Sequence, residues 1–256
     1  MNRTFIRRVQ QSAGCGRENP EQVNIGVTGL GRSVGTTFVA TSLAFYFAEK
    51  GNCVTYCQCL TPSEADKLLY DAAAMEQRFT CRRFYDIYRM IFEGKPVRGK
   101  KNMEKEISWI LPGPWSCEEK ADLDENQKAR LIAGVTGEIC IFDFAAESRW
   151  DEFLMDMDRL IVVVDPLPSK LIRNSRRFAM LKGLEVSGMP LKWIVNRAGS
   201  GINRRQVSAY LKTRNLLWLP EISAQLFYAD EFACRFSWEN KEIRSQILPI
   251  FTKVSQ

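Results

Sequence analysis

A glycine-rich turn, Gly29-Leu30-Gly31-Arg32-Ser33-Val34-Gly35, lies between a short apolar run, VNIGVT (23–28), and a segment of helical period that begins at Thr36. Strand, glycine-rich turn and helix in that order can cradle phosphate. Successive backbone N–H groups converge on the anion, and the helix N-terminus adds the positive end of its dipole. Glycine serves where such a backbone bends tightly or must approach phosphate oxygen closely. Thr37, the last residue of the Gly35-Thr36-Thr37 triplet, brings a hydroxyl suited to Mg²⁺, a cation that takes oxygen ligands. The loop also departs from a standard phosphate loop. Counting back from Gly35, Leu30 stands where the first glycine belongs, and Thr36 stands where the lysine belongs. The chemistry expected is phosphate binding through backbone donors, with weakened stabilisation of charge in phosphoryl transfer. A tight strand-to-helix turn with no ligand is the alternative reading of the same residues.

The elements that must position this loop are legible as short apolar runs. After VNIGVT come CVTYC (53–57), ISWIL (107–111), EICIFDF (138–144), RLIVVVD (159–165), LKWIVN (191–196) and NLLWL (215–219). They are continuous rather than alternating, as strands buried on both faces of a parallel sheet are. Helical period is expected between them over Thr36 to Lys50, Glu64 to Met75, Cys81 to Phe92, Glu125 to Ala133, Ser169 to Leu181, Asn203 to Leu211 and Glu239 to Ile247. Gly51 reads as the C-cap of the first helix. This alternation predicts an α/β fold with a doubly wound, mostly parallel sheet flanked by helices. Ligands of such sheets bind outside the carboxyl ends of the strands, which directs attention to the loops after residues 28, 57, 143, 165 and 196.

With 256 residues, 45% of them hydrophobic, the chain is expected to form one domain over 23–256, preceded by a loose basic arm over 1–22. The opening MNRTFIRRVQQSAGCG has no apolar core of a signal peptide and no run reaches a spanning length, so a cytoplasmic location is expected. Cys53, Cys57, Cys59 and Cys140 fall in apparent strands and read as free, mostly buried thiols. The absence of histidine excludes Ser-His-Asp and Cys-His catalysis and makes a zinc site of ordinary spacing improbable. Net charge is +6, with cations gathered at Arg3, Arg7 and Arg8, at Arg82, Arg83 and Arg89, at Lys95 to Lys101, and at Arg173, Arg176 and Arg177. This balance is compatible with DNA or an anionic membrane, but no motif supports either, and solvated surface is the default reading. CRRFYDIYRMIFEGKPVRGKK, with Phe84, Ile87, Tyr88 and Ile91 on one face, reads as a core-packed helix with a basic wet side. EIRSQILPIFTKV, interrupted at Pro249, reads as a segment docked on the domain.

The segment GRSVGTTFVATSLAFYFAEKG resembles the deviant Walker A loop and following helix of the MinD/ParA ATPases, whose pattern is KGGxGK[ST]T. It is most similar to the TadZ/CpaE-like subgroup, where GVGTT or GVGAT replaces GVGKT. Other segments match in order. Asp143 in CIFDFAAE resembles the switch II aspartate, RLIVVVDPLPSKL the next strand and helix, IVNRAGSG the Asn-Arg pair that contacts adenine, and LPEISAQLFYADEF the segment closing the base pocket. Together they span about residues 23 to 235.

The resemblance implies ATP or ADP with its phosphates over Gly29, Gly31, Arg32, Ser33, Val34, Gly35, Thr36 and Thr37. It implies Mg²⁺ near Thr37 and Asp143, and adenine near Asn196, Arg197 and Pro220. The family's signature lysine aligns with Gly31, its Walker lysine with Thr36, and the acid after its second strand with Gln58. Slow or absent hydrolysis follows, and no catalytic residue is assigned. The function so implied is that of a positioning or scaffold factor, in a pilus or secretion apparatus, that forms a nucleotide-dependent homodimer and contacts a protein partner in a larger assembly, peripheral to the membrane through that partner. Arg32, the only cation in the loop, is then the candidate to replace the signature lysine across the dimer. The alternatives are an active ParA-type ATPase of partitioning or assembly, and a structural relic that acts through protein contacts alone.

Overall fold

The computed structural model describes residues 22–60, 67–77, 80–81, 84–97, 99–119, 122–144, 146, 149–213 and 216–255. Continuous apolar runs become buried strands. β1 (Val23–Gly29), β2 (Val54–Cys59), β6 (Ile107–Ile110), β7 (Ile139–Phe144), β8 (Arg159–Val164), β9 (Leu191–Val195) and β10 (Leu216–Trp218) join the short edge strand β5 (Met103–Glu104) in one eight-stranded sheet. Its order is β10-β9-β8-β1-β7-β2-β6-β5. All pairs are parallel except β5 with β6. The expected doubly wound sheet is present. β1 lies between β7 and β8, so the chain winds outward in both directions from it and the crevice of the switch point opens at its carboxyl end. A separate two-stranded antiparallel sheet pairs β3 (Met75–Gln77) with β4 (Thr80–Cys81).

Helices cover both faces. One core gathers α1 (Thr36–Ala48) and the carboxyl-terminal helix α10 (Lys241–Val254) over Val27, Tyr56, Ile141 and Ile161. The other gathers α3 (Ile87–Phe92), α5 (Glu125–Gly134), α7 (Ser175–Val186) and α8 (Arg204–Leu211) over Cys57, Phe142, Val162 and Trp193. α1 is buried nearly all round, including Thr41 and Ser42, which is why its sequence shows no polar stripe. It ends at Ala48 rather than Lys50, and Gly51 follows at φ 83, where its N–H reaches the Ala48 carbonyl.

Several expected boundaries shift for identifiable reasons. The helix expected over Cys81 to Phe92 starts only at Ile87, because Asp86 caps it by accepting from the Arg89 N–H; Cys81 belongs to β4. The helix expected over Ser169 to Leu181 is two helices, α6 (Pro168–Arg173) and α7, meeting at Asn174. The carboxyl-terminal helix is capped by Asn240 and passes through Pro249 to Val254, so the expected interruption is absent. A proline inside a helix costs about 3 kcal/mol, but Ile243, Ile247, Phe251 and Val254 are buried on the opposite face, at about 1.5–3 kcal/mol each. Packing wins, and the segment docks on the domain as its apolar face predicts. Arg82, Arg83, Glu64 and the arm over 1–21 lie outside the described residues. The cysteines are free among the described residues, with Cys57, Cys59 and Cys140 buried and Cys53 exposed. No helix there is long and apolar enough to cross a membrane.

Candidate functional site

At the carboxyl ends of β1, β2, β7 and β9 the loop over 30–35 borders a cleft of about 1110 Å³. Gly31, Arg32, Ser33, Val34, Gly35, Thr36, Thr37, Asp143, Asn196 and Arg197 all line it. Gly29 and Pro220 do not, but Pro220 directly precedes Glu221 and Ile222, which do. Phe227 and Tyr228 of α9 (Ala224–Phe232) supply an aromatic wall, with Phe227 edge-on to Phe38 at 5.2 Å between ring centres.

The loop is held by close packing. Gly35 is the N-cap of α1 at φ 92 and, having no side chain, accepts from none of the helix's first-turn N–H groups. A Cβ on Gly35 would collide with the Asn196 amide, and one on Gly31 with the Asn174 amide. Asn196 is buried and its Nδ2 donates to the Val34 carbonyl at 2.9 Å. From below, Arg177 Nε donates to the Gly29 carbonyl at 2.8 Å and Nη2 to Thr28 Oγ1 at 2.9 Å. Arg177 was expected on a solvated basic surface with Arg173 and Arg176. It is only 9% exposed, because the loop's carbonyl and Asp151 require its fork inside.

At the cleft floor the Thr37 hydroxyl donates to Asp143 Oδ2 at 2.8 Å, and the Tyr56 hydroxyl donates to the same oxygen at 2.6 Å. The two residues expected to hold a cation are thus together. Burial pushes the Asp143 carboxyl up to about 6, while the bonds from Tyr56 and Thr37 act against that rise. Gln58 pairs with Asp143 in register, on the same face of the sheet and 2% exposed. A neutral amide therefore stands where a second carboxylate would repel Asp143. Among the described residues no group of three or more acidic or cysteine side chains gathers as a metal cage. One hydroxyl and one carboxylate fit Mg²⁺ instead, which keeps several waters and completes its shell with phosphate oxygen. Nothing in the sequence singles out Tyr56. It sits two residues before Gln58 in a fully buried strand, and only the β2–β7 register reveals that its hydroxyl reaches Asp143.

No family model matches the chain, and no curated protein sequence matches it. Solved structures do. A ParA family ATPase from Chlorobium tepidum superposes with a TM-score of 0.71 at 16% identity, over 92% of this chain and 98% of that one. The septum site-determining protein MinD from Pyrococcus horikoshii, complexed with Mg-ADP, gives a TM-score of 0.69 at 14% identity, covering 92% and 96%. A plasmid partition protein of Borrelia burgdorferi bound to AMPPNP gives 0.66 at 16%, covering 91% and 99%. With its eight-stranded order, a loop at the switch point and these superpositions over nearly the whole length, the chain has the fold of the MinD and ParA ATPases.

Proposed function

We propose that this chain is a MinD/ParA-like nucleotide-binding protein of the TadZ/CpaE-like kind, which holds ATP or ADP with Mg²⁺ and hydrolyses it slowly or not at all. The observation that carries this reading is the Thr37–Asp143 pair at 2.8 Å beneath an uncapped helix N-terminus. That pair and the backbone N–H groups need no lysine. Thr37 Oγ1 and an Asp143 oxygen would hold Mg²⁺, which supplies charge neutralisation to the phosphates when bound. Asn196 fixes the loop at Val34 and Gly35, and the wall of Ile222, Phe227 and Tyr228 offers apolar surface to a base. Thr36 in place of lysine and Gln58 in place of an acid argue against fast phosphoryl transfer. So does the close approach of the Asn174 amide to Gly31, which a side chain at the signature-lysine position would have to displace.

The purified protein should bind Mg-ADP and Mg-ATP with Kd in the range of about 1 μM to 1 mM, with turnover well below about 1 s⁻¹. Calorimetry and a phosphate-release assay measure both. No heat and no thermal shift at millimolar nucleotide would leave protein contacts as the mode of action, and turnover in the ordinary enzyme range would make this an active ParA-type ATPase. Thr36→Lys should tighten binding by about tenfold to a hundredfold, since a charge-assisted bond to phosphate contributes about 1.5–3 kcal/mol.

The biological role proposed is that of a positioning or scaffold factor whose nucleotide state controls self-association and contact with a protein partner, such as a component of a pilus or secretion machine. Arg32 is exposed at the cleft lip and its charge is permanent. In a face-to-face dimer it would offset the phosphate charge of the facing copy. Sedimentation should then show a dimer with Mg-ATP for the wild type and a monomer for Arg32→Ala; a wild type that stays monomeric with nucleotide bound excludes this arrangement.

A further inference from the structure

Two residues without glycine's freedom take left-handed backbone at the cleft lip: Ser33 at φ 54 and Arg197 at φ 57. Such conformations persist where surrounding contacts over-determine them, and they concentrate at functional sites. Here the two are joined directly. Arg197 Nη1 donates to the Ser33 carbonyl at 3.1 Å and to Asp165 Oδ2 at 2.9 Å. That same Asp165 oxygen accepts from Lys170 Nζ at 2.7 Å, and Oδ1 accepts from the Leu167 N–H at 3.1 Å. Asp165 is 3% exposed at the end of β8. Burial by itself would push its carboxyl up, but the bonds from Lys170, Leu167 and Arg197 hold it below the usual range, so it stays ionised.

One carboxylate between two cations leaves one positive charge in excess. Lys170 neutralises Asp165, and the field of the guanidinium is therefore not cancelled where it faces the loop. Arg197 lines the cleft beside Ser33, Val34 and Gly35, whereas Asp165 and Lys170 do not line it. Only Nη1 is engaged among the described residues, which leaves the Nη2 and Nε donors of the fork for an anion.

We propose that Arg197 is the phosphate-side cation of this cleft, supplying from the end of β9 the charge that the loop lacks at Gly31 and Thr36. Asp165 and Lys170 are its positioning residues. The proposal rests on the nucleotide-binding reading above, and it departs from the family resemblance, which assigns Arg197 to adenine. The geometry favours the phosphate side because the guanidinium is anchored to a carbonyl of the phosphate loop itself.

The discriminating probe is tripolyphosphate with Mg²⁺, which carries the phosphates without the base, used beside Mg-ATP and Mg-GTP in calorimetry. Arg197→Gln should weaken Mg-ATP and tripolyphosphate by the same factor, about tenfold or more, and leave the ratio of ATP to GTP affinity unchanged. Lys170→Met keeps the Arg197 bond to Ser33 but leaves Asp165 to cancel the guanidinium; tripolyphosphate should bind about threefold more weakly. If Arg197→Gln weakens ATP while tripolyphosphate binds as before, or if the base preference collapses, Arg197 serves adenine and the proposal is overturned. Unchanged tripolyphosphate affinity in Lys170→Met overturns the positioning role. A wild type that binds neither ATP nor tripolyphosphate defeats the nucleotide-binding reading itself, an outcome distinct from failure of the variants alone.

Discussion

Asp143→Asn is expected to stabilise the ligand-free protein by about 3 kcal/mol near neutral pH while removing the Mg²⁺-dependent nucleotide binding proposed above. Asp143 is 3% exposed, and burial raises its carboxyl from 3.8 to about 6, against the opposing bonds from Tyr56 and Thr37. The folded chain thus holds the proton more tightly than the unfolded chain. Stability from this group is greatest below the unfolded value of 3.8, falls as pH rises towards about 6, and stays lower above that. A shift of about two pH units corresponds to about 3 kcal/mol. Asparagine presents an acceptor to the same two hydroxyls without the charge. Urea unfolding at about pH 7.5 should therefore favour the variant by that amount, and the gain should shrink to about 0.5 kcal/mol near pH 4 and vanish below about pH 3. Mg-nucleotide should reverse the order, raising the midpoint of the wild type but not of the variant. Coincident urea midpoints at neutral pH would show that this carboxylate bears no burial penalty, and with it that the floor of the cleft is wetter than its packing indicates. A site that costs stability when empty is expected where a protein has retained a ligand.

The parts of this site that could be read in the sequence are those written locally. Gly29 to Thr37 lie consecutively, and the runs around Asp143 and Asn196 announce strand ends, because strands buried on both faces are continuous in apolar residues. What could not be read depends on register and long-range pairing. The Tyr56 hydroxyl reaches Asp143 only because β2 pairs with β7 so that Gln58 stands beside Asp143. Arg177 in NSRRFAM has the look of a solvated cation, and nothing nearby in sequence tells that Gly29 and Asp151 converge on it. Pro249 suggested a break because local propensity is visible, while the buried stripe of Ile243, Ile247, Phe251 and Val254 that overrides it depends on the face it meets. The helix α9 that walls the cleft is not legible as a helix: its apolar residues Leu226, Phe227 and Phe232 are spread around it, leaving no stripe of helical period.

Loss of the Arg177 fork should be among the most damaging single changes at this end of the sheet, and its consequences for stability and for binding can be separated. Arg177 Nη1 and Nη2 pair with the two Asp151 oxygens at 2.5 and 2.9 Å, while Nε and Nη2 hold the Gly29 carbonyl and Thr28 Oγ1. Arg177→Met keeps much of the aliphatic stem but strands the Asp151 carboxylate and leaves the Gly29 carbonyl without this donor. Removing one partner of a buried pair costs about 3–5 kcal/mol, and Asp151, whose side chain is 33% exposed, recovers some solvation, which places the expected loss near 3 kcal/mol. Adding Asp151→Leu removes the stranded charge, so the double variant should regain most of that stability, because an apolar pair of similar volume replaces an ion pair at little net cost. Nucleotide affinity should not return with it. The carbonyl of Gly29 and the hydroxyl of Thr28 stand at the base of the glycine-rich loop, and in the double variant nothing replaces the bonds that fix them. Urea unfolding and calorimetry with Mg-ADP on the single and double variants read the two effects independently. Recovery of both together would show that Arg177 serves only to neutralise Asp151. Recovery of stability alone would establish that the fork shapes the loop from beneath.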